Sequence, residues 1–194
     1  VTGVQTCALP ICAHANGYVR GADGRPEALW IARRSLQKAT DPGLADNLVG
    51  GGVPSHQQPF EALVREGWEE AGLSPERMRQ VTPGRVLRLK RGLQPPHDTP
   101  DGLQREDLHV FDLELPPGVL PQNQDGEVQG FHLLSVHEAL SLAASAEMTV
   151  DAALKYIVSM GVVAPTDLPR RNGGDARPAE MASADDEVAD THTN

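Results

Sequence analysis

The stretch Gly51–Leu73, GGVPSHQQPFEALVREGWEEAGL, decides the fold. Pro59 is typical of the first position of a helix, because its missing N–H would be unpaired there in any case. Gly72 is typical of the left-handed cap that ends a helix. The stretch therefore predicts a glycine-containing loop followed by a helix from about Pro59 to about Ala71.

Three carboxylates cluster on this predicted helix. Glu66, Glu69 and Glu70 stand at positions i, i+3 and i+4, which places them on one face. Such a face can be a solvated acidic surface, with Arg65 and Glu69 as an ordinary i, i+4 ion pair. It can also bind a hard divalent cation, because Mg²⁺ prefers carboxylate oxygens. The three carboxylates alone leave both interpretations open.

The surrounding residues resemble the Nudix signature, G-x5-E-x7-R-E-U-x-E-E-x-G-U, in which U is a bulky apolar residue. The matching residues share the spacing of the signature and are Gly51, Arg65, Glu66, Glu69, Glu70, Gly72 and Leu73. Two positions depart from it, since Gln57 replaces the first Glu and Gly67 replaces the first bulky apolar residue. The chain is therefore identified as similar to the Nudix hydrolases.

This resemblance implies a mixed α/β (α+β) fold, with a mixed sheet sandwiched by helices. It also implies hydrolysis of a diphosphate bond with the help of Mg²⁺ or Mn²⁺. Carried over by position, Glu66, Glu69 and Glu70 are the metal ligands, and Glu66 and Glu69 are catalytic together with Arg65, which braces the carboxylates. Gly51 allows close approach of the backbone, although the Gly50-Gly51-Gly52 run can also be a simple turn.

Many family members add an acidic ligand from a later loop, and Glu127 is the candidate here. The alternative is that Asp125-Gly126 beside it forms only a turn. Glu106 and Asp107, in a predicted loop from Gln94 to Asp107, are weaker candidates. The sequence names no general base.

The remaining pattern predicts a sheet with few helices. Asn16–Arg20 and Ala28–Ala32 flank Asp23-Gly24 and so form an antiparallel pair, and Leu48-Val49 reads as a strand entering a tight loop at Gly50–Gly52. Further alternating segments are typical of strands at Val86–Leu89, Phe111–Leu115 and Phe131–Leu134, and helical patterns run over Val136–Ala146 and Val150–Met160.

Other stretches resemble one Nudix subgroup, the portion fused to fungal thiamine pyrophosphokinase. They run from Trp30 to Lys38, from Asp46 to Gly51, from Phe111 to Pro116 and from Asp125 to Val128. The resemblance implies hydrolysis of thiamine diphosphate, or of its oxo and oxy analogues, to the monophosphate. Arg33, Arg34 and Lys38 would then bind phosphate and Trp30 would stack on a ring. The alternatives are surface cations and a core tryptophan.

The two ends of the chain are expected to lie outside the Nudix domain, which we assign to residues 13–164. Residues 1–11 resemble the in-frame translation of a common sequencing adapter and Cys12 lies at the junction, so residues 1–12 are set apart as an artefact. Cys7 and Cys12 therefore support neither a disulfide nor a metal site. Residues 165–194 are rich in small and acidic residues and should form a disordered tail. Members of the subgroup typically carry a further domain before the Nudix domain.

Charge and hydropathy narrow the range of partners. The formal net charge of −10 has the wrong sign for binding nucleic acid. No apolar stretch approaches the roughly 20 residues that cross a bilayer. We therefore expect a soluble, cytoplasmic protein that binds a small-molecule diphosphate and neither nucleic acid nor membrane, with a homodimer as one allowed assembly.

Three other functions compete with this one. A Nudix hydrolase could act on a nucleoside diphosphate derivative. A Nudix-fold binding module could lack catalysis, as Gln57 and Gly67 suggest and the retained Arg65 and glutamates argue against. An isopentenyl-diphosphate isomerase has a related fold but needs a cysteine near the strand before the signature, and residues 47–50 contain none.

Overall fold

A single mixed sheet organises the part of the chain that the computed structural model describes, residues 11–92 and 103–159. The strands are β1 (Ile11–Arg20), β2 (Pro26–Arg34), β3 (Ala45–Asp46), β4 (Val49–Gly52), β5 (Thr82–Gly92), β6 (Leu103–Glu114) and β7 (Val128–Ser135). The helices are α1 (Pro59–Ala71), α2 (Pro75–Met78), α3 (Val136–Ala143) and α4 (Val150–Ser159). The predicted mixed α/β class is confirmed.

The strand order is β3-β2-β1-β6-β5, with β4 also paired to β1 and β7 to β2. Only the β1–β6 pair is parallel among these. One edge of β1 is shared, because residues 12–15 pair with β4 and residues 17–20 pair with β2. Asn16 therefore lies where β4 and β2 separate, and this fork positions the candidate site.

The helices cover both faces of the sheet. One core cluster joins α1 and α2 to the sheet through Leu63, Ala71, Met78 and the strand residues Ala13 and Ala15. A second cluster joins α3 and α4 to Leu29 and Ile31 of β2. Alternate residues of β1 and β2 thus serve opposite layers, as expected for strands buried on both faces.

The predicted helix from Pro59 to Ala71 is confirmed at both bounds. Gln58 and Glu61 form a capping box at its start. Gly72 ends it with a left-handed φ of 63°, where its N–H bonds to the carbonyl of Trp68. Both signals are local, which is why the sequence alone located this helix.

Several predicted boundaries were wrong. Gly50 to Gly52 do not form a tight loop, since they pair with β1 inside β4. The predicted loop to Asp107 is too long, because β6 begins at Leu103; residues 94–102 lie outside the described residues. α3 ends at Ala143 rather than near Ala146, and the one-turn helix α2 was not predicted.

The assigned ends of the chain stay predictions. Residues 1–10 and 160–194, and with them the predicted tail, lie outside the described residues. β1 begins at Ile11, so Ile11 and Cys12 belong to the sheet. Within the described ranges, no helix is long and apolar enough to span a membrane.

Candidate metal and diphosphate site

A small pocket opens where β2 and β4 diverge from each other along one edge of β1. It brings together four residues that the sequence proposed for the site, namely Arg34, Lys38, Glu70 and Glu127. Its other lining residues are Ala32, Asp46, Asn47, Gly50 and Val128. Two cations and two candidate metal ligands thus share one concave surface.

Glu70 is the most buried of the candidate ligands, with 6% of its surface exposed. Its Oε2 accepts a hydrogen bond of 2.8 Å from the backbone N–H of Gly50. Burial raises the pKa of Glu70 to about 8, more than this hydrogen bond can offset. A carboxyl group in this environment is stabilised as an anion only if positive charge is supplied close by.

Arg65 lies between the other two carboxylates of α1. Its guanidinium donates to Glu66 Oε1 and to Glu69 Oε2, each at 2.6 Å. The Glu66 side chain is 14% exposed and that of Glu69 is 40% exposed. Burial raises the pKa of Glu66 although Arg65 opposes it. This is the arrangement expected of a bracing arginine, and the catalytic roles stay predictions.

Gly51 allows β4 to lie directly against Glu66. A Cβ added at Gly51 would overlap the Glu66 carboxyl group and lie 2.7 Å from its Cγ. A Cβ at Gly52, one residue further, would meet nothing within 4 Å. The close approach predicted for Gly51 is therefore to the glutamate of α1.

The two departures from the signature have different consequences. At Gly67, Met78 of α2 fills the free space, with its sulfur 2.5 Å from where a Cβ would lie. Met78 is fully buried, so the apolar contact missing from α1 is supplied by α2. At Gln57, by contrast, the side-chain oxygen is buried without a hydrogen-bond partner among the described residues.

The proposed phosphate binders separate into two groups. Lys38 forms an ion pair with Glu127 at the pocket. Arg34 also lines the pocket but is bound to Asp46 at 2.6 Å and to the carbonyls of Thr40 and Asp41. Arg33 is absent from the pocket lining, as strand alternation directs it away from Arg34. A direct phosphate role for Arg33 is not supported by this placement.

Trp30 is 8% exposed and packs in the core cluster beneath α1. The core alternative that the sequence left open is the one the structure supports, and stacking on a ligand ring is not supported. Glu106 and Asp107 lie in β6 rather than in a loop. Glu106 accepts a bond from the Cys12 thiol and Asp107 lies 3.6 Å from Arg88, so neither belongs to the pocket.

The donor chemistry fits a hard divalent cation, because the candidate ligands are all carboxylates. Glu70 and Glu127 line the pocket, and both Glu127 and Glu69 raise the pKa of Glu66 through their charge. Within residues 11–92 and 103–159, however, no three His, Cys, Asp or Glu side chains lie close enough to hold a metal. Arg65 instead pairs with Glu66 and Glu69, and Lys38 pairs with Glu127.

Sequence reasoning assigned no role to several residues at this site. Asp46 and Asn47 line the pocket, and His14 and Lys155 are buried behind it. Neighbouring basic groups hold the pKa of Asp46 below its usual range although burial opposes them. One signal was available, since Lys155 falls on the apolar face of the predicted last helix.

Residues 12–154 match the model of the NUDIX domain family. The chain belongs to the Nudix family. Two chloroplastic relatives from Arabidopsis thaliana are Nudix hydrolase 20, 41% identical over 130 residues, and Nudix hydrolase 24, 38% identical over 146 residues. These alignments cover 66% and 75% of this chain but 32% and 38% of the relatives. The chain thus spans about a third of their length.

Solved Nudix structures share the fold. The NUDIX domain of Shewanella oneidensis NrtR, complexed with ADP-ribose, superposes with a TM-score of 0.55 at 11% identity, covering 79% of this chain and 86% of that one. A Nudix hydrolase from M. smegmatis, RenU, gives 0.52 at 18% identity, covering 78% and 83%. At these identities the likeness shows the fold alone. Nudix hydrolases generally use divalent metal ions.

Proposed function

We propose that this chain hydrolyses a diphosphate bond in a small molecule with the help of a divalent metal ion. One observation carries the proposal: a single pocket contains the cations Arg34 and Lys38 and the carboxylates Glu70 and Glu127, beside the signature helix. A diphosphate needs positive charge around its oxygens, and a metal needs carboxylates. The pocket offers both within one concave surface.

The side chains of the chain itself would bind and orient the substrate. Lys38 pairs with Glu127 and is 23% exposed, so its ammonium can turn to a phosphate oxygen at small cost. Arg34 is held by Asp46 and by two carbonyls. Its guanidinium is therefore fixed at the pocket wall, with its charge balanced by Asp46.

Glu66, Glu69, Glu70 and Glu127 would hold the metal. A bound Mg²⁺ or Mn²⁺ supplies positive charge that neutralises phosphate oxygens and makes water more acidic. Arg65 keeps Glu66 and Glu69 close together, and Gly50 orients Glu70 through its N–H. These contacts preorganise carboxylates that would otherwise repel each other.

For the substrate, we propose thiamine diphosphate or its oxidised analogues, converted to the monophosphate. The support is the sequence resemblance around residues 30–51 and 111–128. A nucleoside diphosphate derivative is the alternative, because a solved relative of the same fold is complexed with ADP-ribose. A cytoplasmic location is likewise a proposal, and the two plant relatives are named chloroplastic.

The test is product release from a panel of diphosphates, with and without Mg²⁺. The panel contains thiamine diphosphate, its oxo and oxy analogues, ADP-ribose, NADH and nucleoside triphosphates. Metal-dependent formation of thiamine monophosphates supports both the reaction and the substrate. Cleavage of nucleotides alone keeps the reaction and rejects the substrate, while a folded protein without turnover on any compound favours a non-catalytic binding module.

A matched pair of variants tests the metal assignment. Glu66→Gln should lower kcat/KM by roughly 100-fold, the effect of losing one preorganised electrostatic group. Glu76→Gln on α2 is the control. The Glu76 side chain is 78% exposed, and its ion pair with Arg79 is long, at 3.8 Å, and lies on the surface. Equal turnover of both variants would remove Glu66 from the site.

A further inference from the structure

Lys155 is a charged residue in the interior that the proposed reaction does not use. It lies on α4, on the opposite side of the sheet from α1, and is 0% exposed. Lysine is almost never buried this deeply unless it is paired. Its Nζ donates a hydrogen bond of 2.9 Å to Asn47 Oδ1. The polar groups whose charge acts on it are Asp151, Asp46, Cys12 and Glu106.

Asn47 is held in one orientation by this contact. Its Oδ1 faces Lys155 Nζ and also lies 3.3 Å from His14 Nδ1. Its Nδ2 donates to Asn16 Oδ1 at 2.6 Å, and Asn16 donates in turn to Asp112 at 2.9 Å. A reversed amide would direct its own N–H groups at an ammonium. The cation therefore fixes which way the amide points.

Asn47 contacts the wall that holds Glu70, by which we mean His14 and Gly50. The His14 ring packs against Gly50 so closely that a Cβ there would overlap the ring. Gly50 in turn donates its N–H to Glu70 Oε2. A path of direct contacts thus runs from Lys155 through Asn47, His14 and Gly50 to a candidate metal ligand.

A second contact, from the residue that precedes α4, reaches the adjacent pocket residue. The Thr149 hydroxyl donates to Asp46 Oδ1 at 3.1 Å, and the same oxygen accepts from the backbone N–H of Asn47 at 2.8 Å. Two consecutive pocket residues are therefore held from the far side of the sheet, Asn47 by Lys155 of α4 and Asp46 by Thr149 just before it. These two attachment points restrict both the rotation of the Asp46-Asn47 segment and its distance from α4.

We propose that Lys155 is a positioning residue for the candidate active site, acting through Asn47 on the wall that orients Glu70. This inference rests on the proposed function. Because Lys155 is fully buried, it cannot touch a substrate, and its effect must pass through its neighbours. Burial lowers its pKa to about 8, so it remains a cation at neutral pH.

The experiment compares Lys155→Met with Tyr156→Phe, its matched control. Tyr156 is the next residue on α4, equally buried, and its hydroxyl donates to the Trp30 carbonyl at 2.8 Å. Both variants lose a buried polar contact beside Asn47, but only Lys155→Met removes the cation that faces Asn47 Oδ1. Lys155→Met should lower kcat by on the order of tenfold to 100-fold with little change in KM, and Tyr156→Phe should leave both near wild type.

A second measurement does not depend on turnover. Hydrogen exchange at the Gly50 amide should accelerate by on the order of tenfold in Lys155→Met, because the wall has lost its support. Tyr156→Phe should leave that amide protected. If Lys155→Met does not fold, Lys155→Gln, which keeps a donor, is measured in the same two ways.

A double variant tests the route. If Lys155 acts through Asn47, its replacement should change kcat much less in an Asn47→Ala background than in the wild type. Wild-type turnover and exchange in Lys155→Met would overturn the positioning role and leave the proposed function intact. Absence of turnover in the wild type would instead reject the proposed function, and exchange at Gly50 would still decide the role of Lys155.

Discussion

The two faces of the sheet hold their charged side chains in different ways. On the α1 face, Arg65 pairs with Glu66 and Glu69, and the Arg65 side chain is 40% exposed. On the α4 face, Lys155 is fully buried against Asn47. An exposed ion pair adds at most about 1 kcal/mol to the free energy of unfolding. Leaving one buried charge without its partner lowers that free energy by roughly 3–5 kcal/mol. The α1 pairs can therefore exchange partners with a ligand, and the α4 contact can only fix geometry.

The largest expected effect tests whether packing, rather than charge, holds the α1 face. Met78→Ala should lower the free energy of unfolding by about 2–5 kcal/mol, because Met78 is fully buried beneath Gly67. Chemical denaturation monitored by circular dichroism measures this. A loss below about 1 kcal/mol would mean that the contact is not part of a close-packed core.

The contact between Met78 and Gly67 predicts that Gly67→Ala has opposite effects on stability in two backgrounds. In the wild type, Gly67→Ala should cost roughly 1–3 kcal/mol, because the new methyl group meets Met78. In the Met78→Ala background it should stabilise the protein, since the space is free and Ala is favoured over Gly in a helix by about 1 kcal/mol. Equal costs in both backgrounds would contradict the conclusion that Met78 fills the space left by Gly67.

A smaller effect separates two adjacent glycines of β4. Gly51→Ala should lower both stability, by about 1–3 kcal/mol, and kcat/KM, because the methyl group displaces Glu66. Gly52→Ala is the control and should be neutral, as a Cβ there meets open space. Thermal unfolding and turnover measured on both variants check this. Similar behaviour of the two would show that Glu66 moves aside freely.

On the α4 face, stability should depend on pH. Burial lowers the pKa of Lys155 from 10.5 to about 8, so between these values the unfolded chain binds more protons than the native one. The free energy of unfolding should then rise with pH in this window. Compared with Lys155→Met, wild type should gain stability from pH about 8 to about 10.5. Parallel curves from denaturation at several pH values would count against a buried charged lysine.

The smallest effect on stability is expected at the pocket mouth. Lys38→Met should change the free energy of unfolding by less than about 1 kcal/mol, since the pair with Glu127 is partly exposed. KM for the diphosphate should rise by roughly tenfold if Lys38 binds phosphate. Arg25→Met, in the exposed turn after β1, is the control. An unchanged KM would remove Lys38 from the substrate site.

Local signals made the signature helix predictable. Pro59, the carboxylate spacing and Gly72 act within a few residues of one another, and both bounds of α1 are confirmed. The hairpin of β1 and β2 was likewise located, because its turn lies between its strands. The family was correctly identified from the same stretch. The thiamine subgroup and the roles of the glutamates stay predictions.

Other parts of the site could not be read from local patterns. Arg33 and Arg34 look alike in sequence, and only the pairing of β2 decides which of them lines the pocket. Gly50 to Gly52 resemble a loop, and only pairing with β1 makes them a strand. Met78 compensates for Gly67 through a contact between two helices that no local rule describes.

The sequence by itself determined the signature helix, its three carboxylates on one face and the family, because helix periodicity and caps depend on neighbouring residues. Only the tertiary structure decided that Lys155 and Asn47, 108 positions apart, meet behind the pocket. The register of β1 with β2, β4 and β6 fixes that meeting, and register depends on the packing of the whole sheet between its two helix layers.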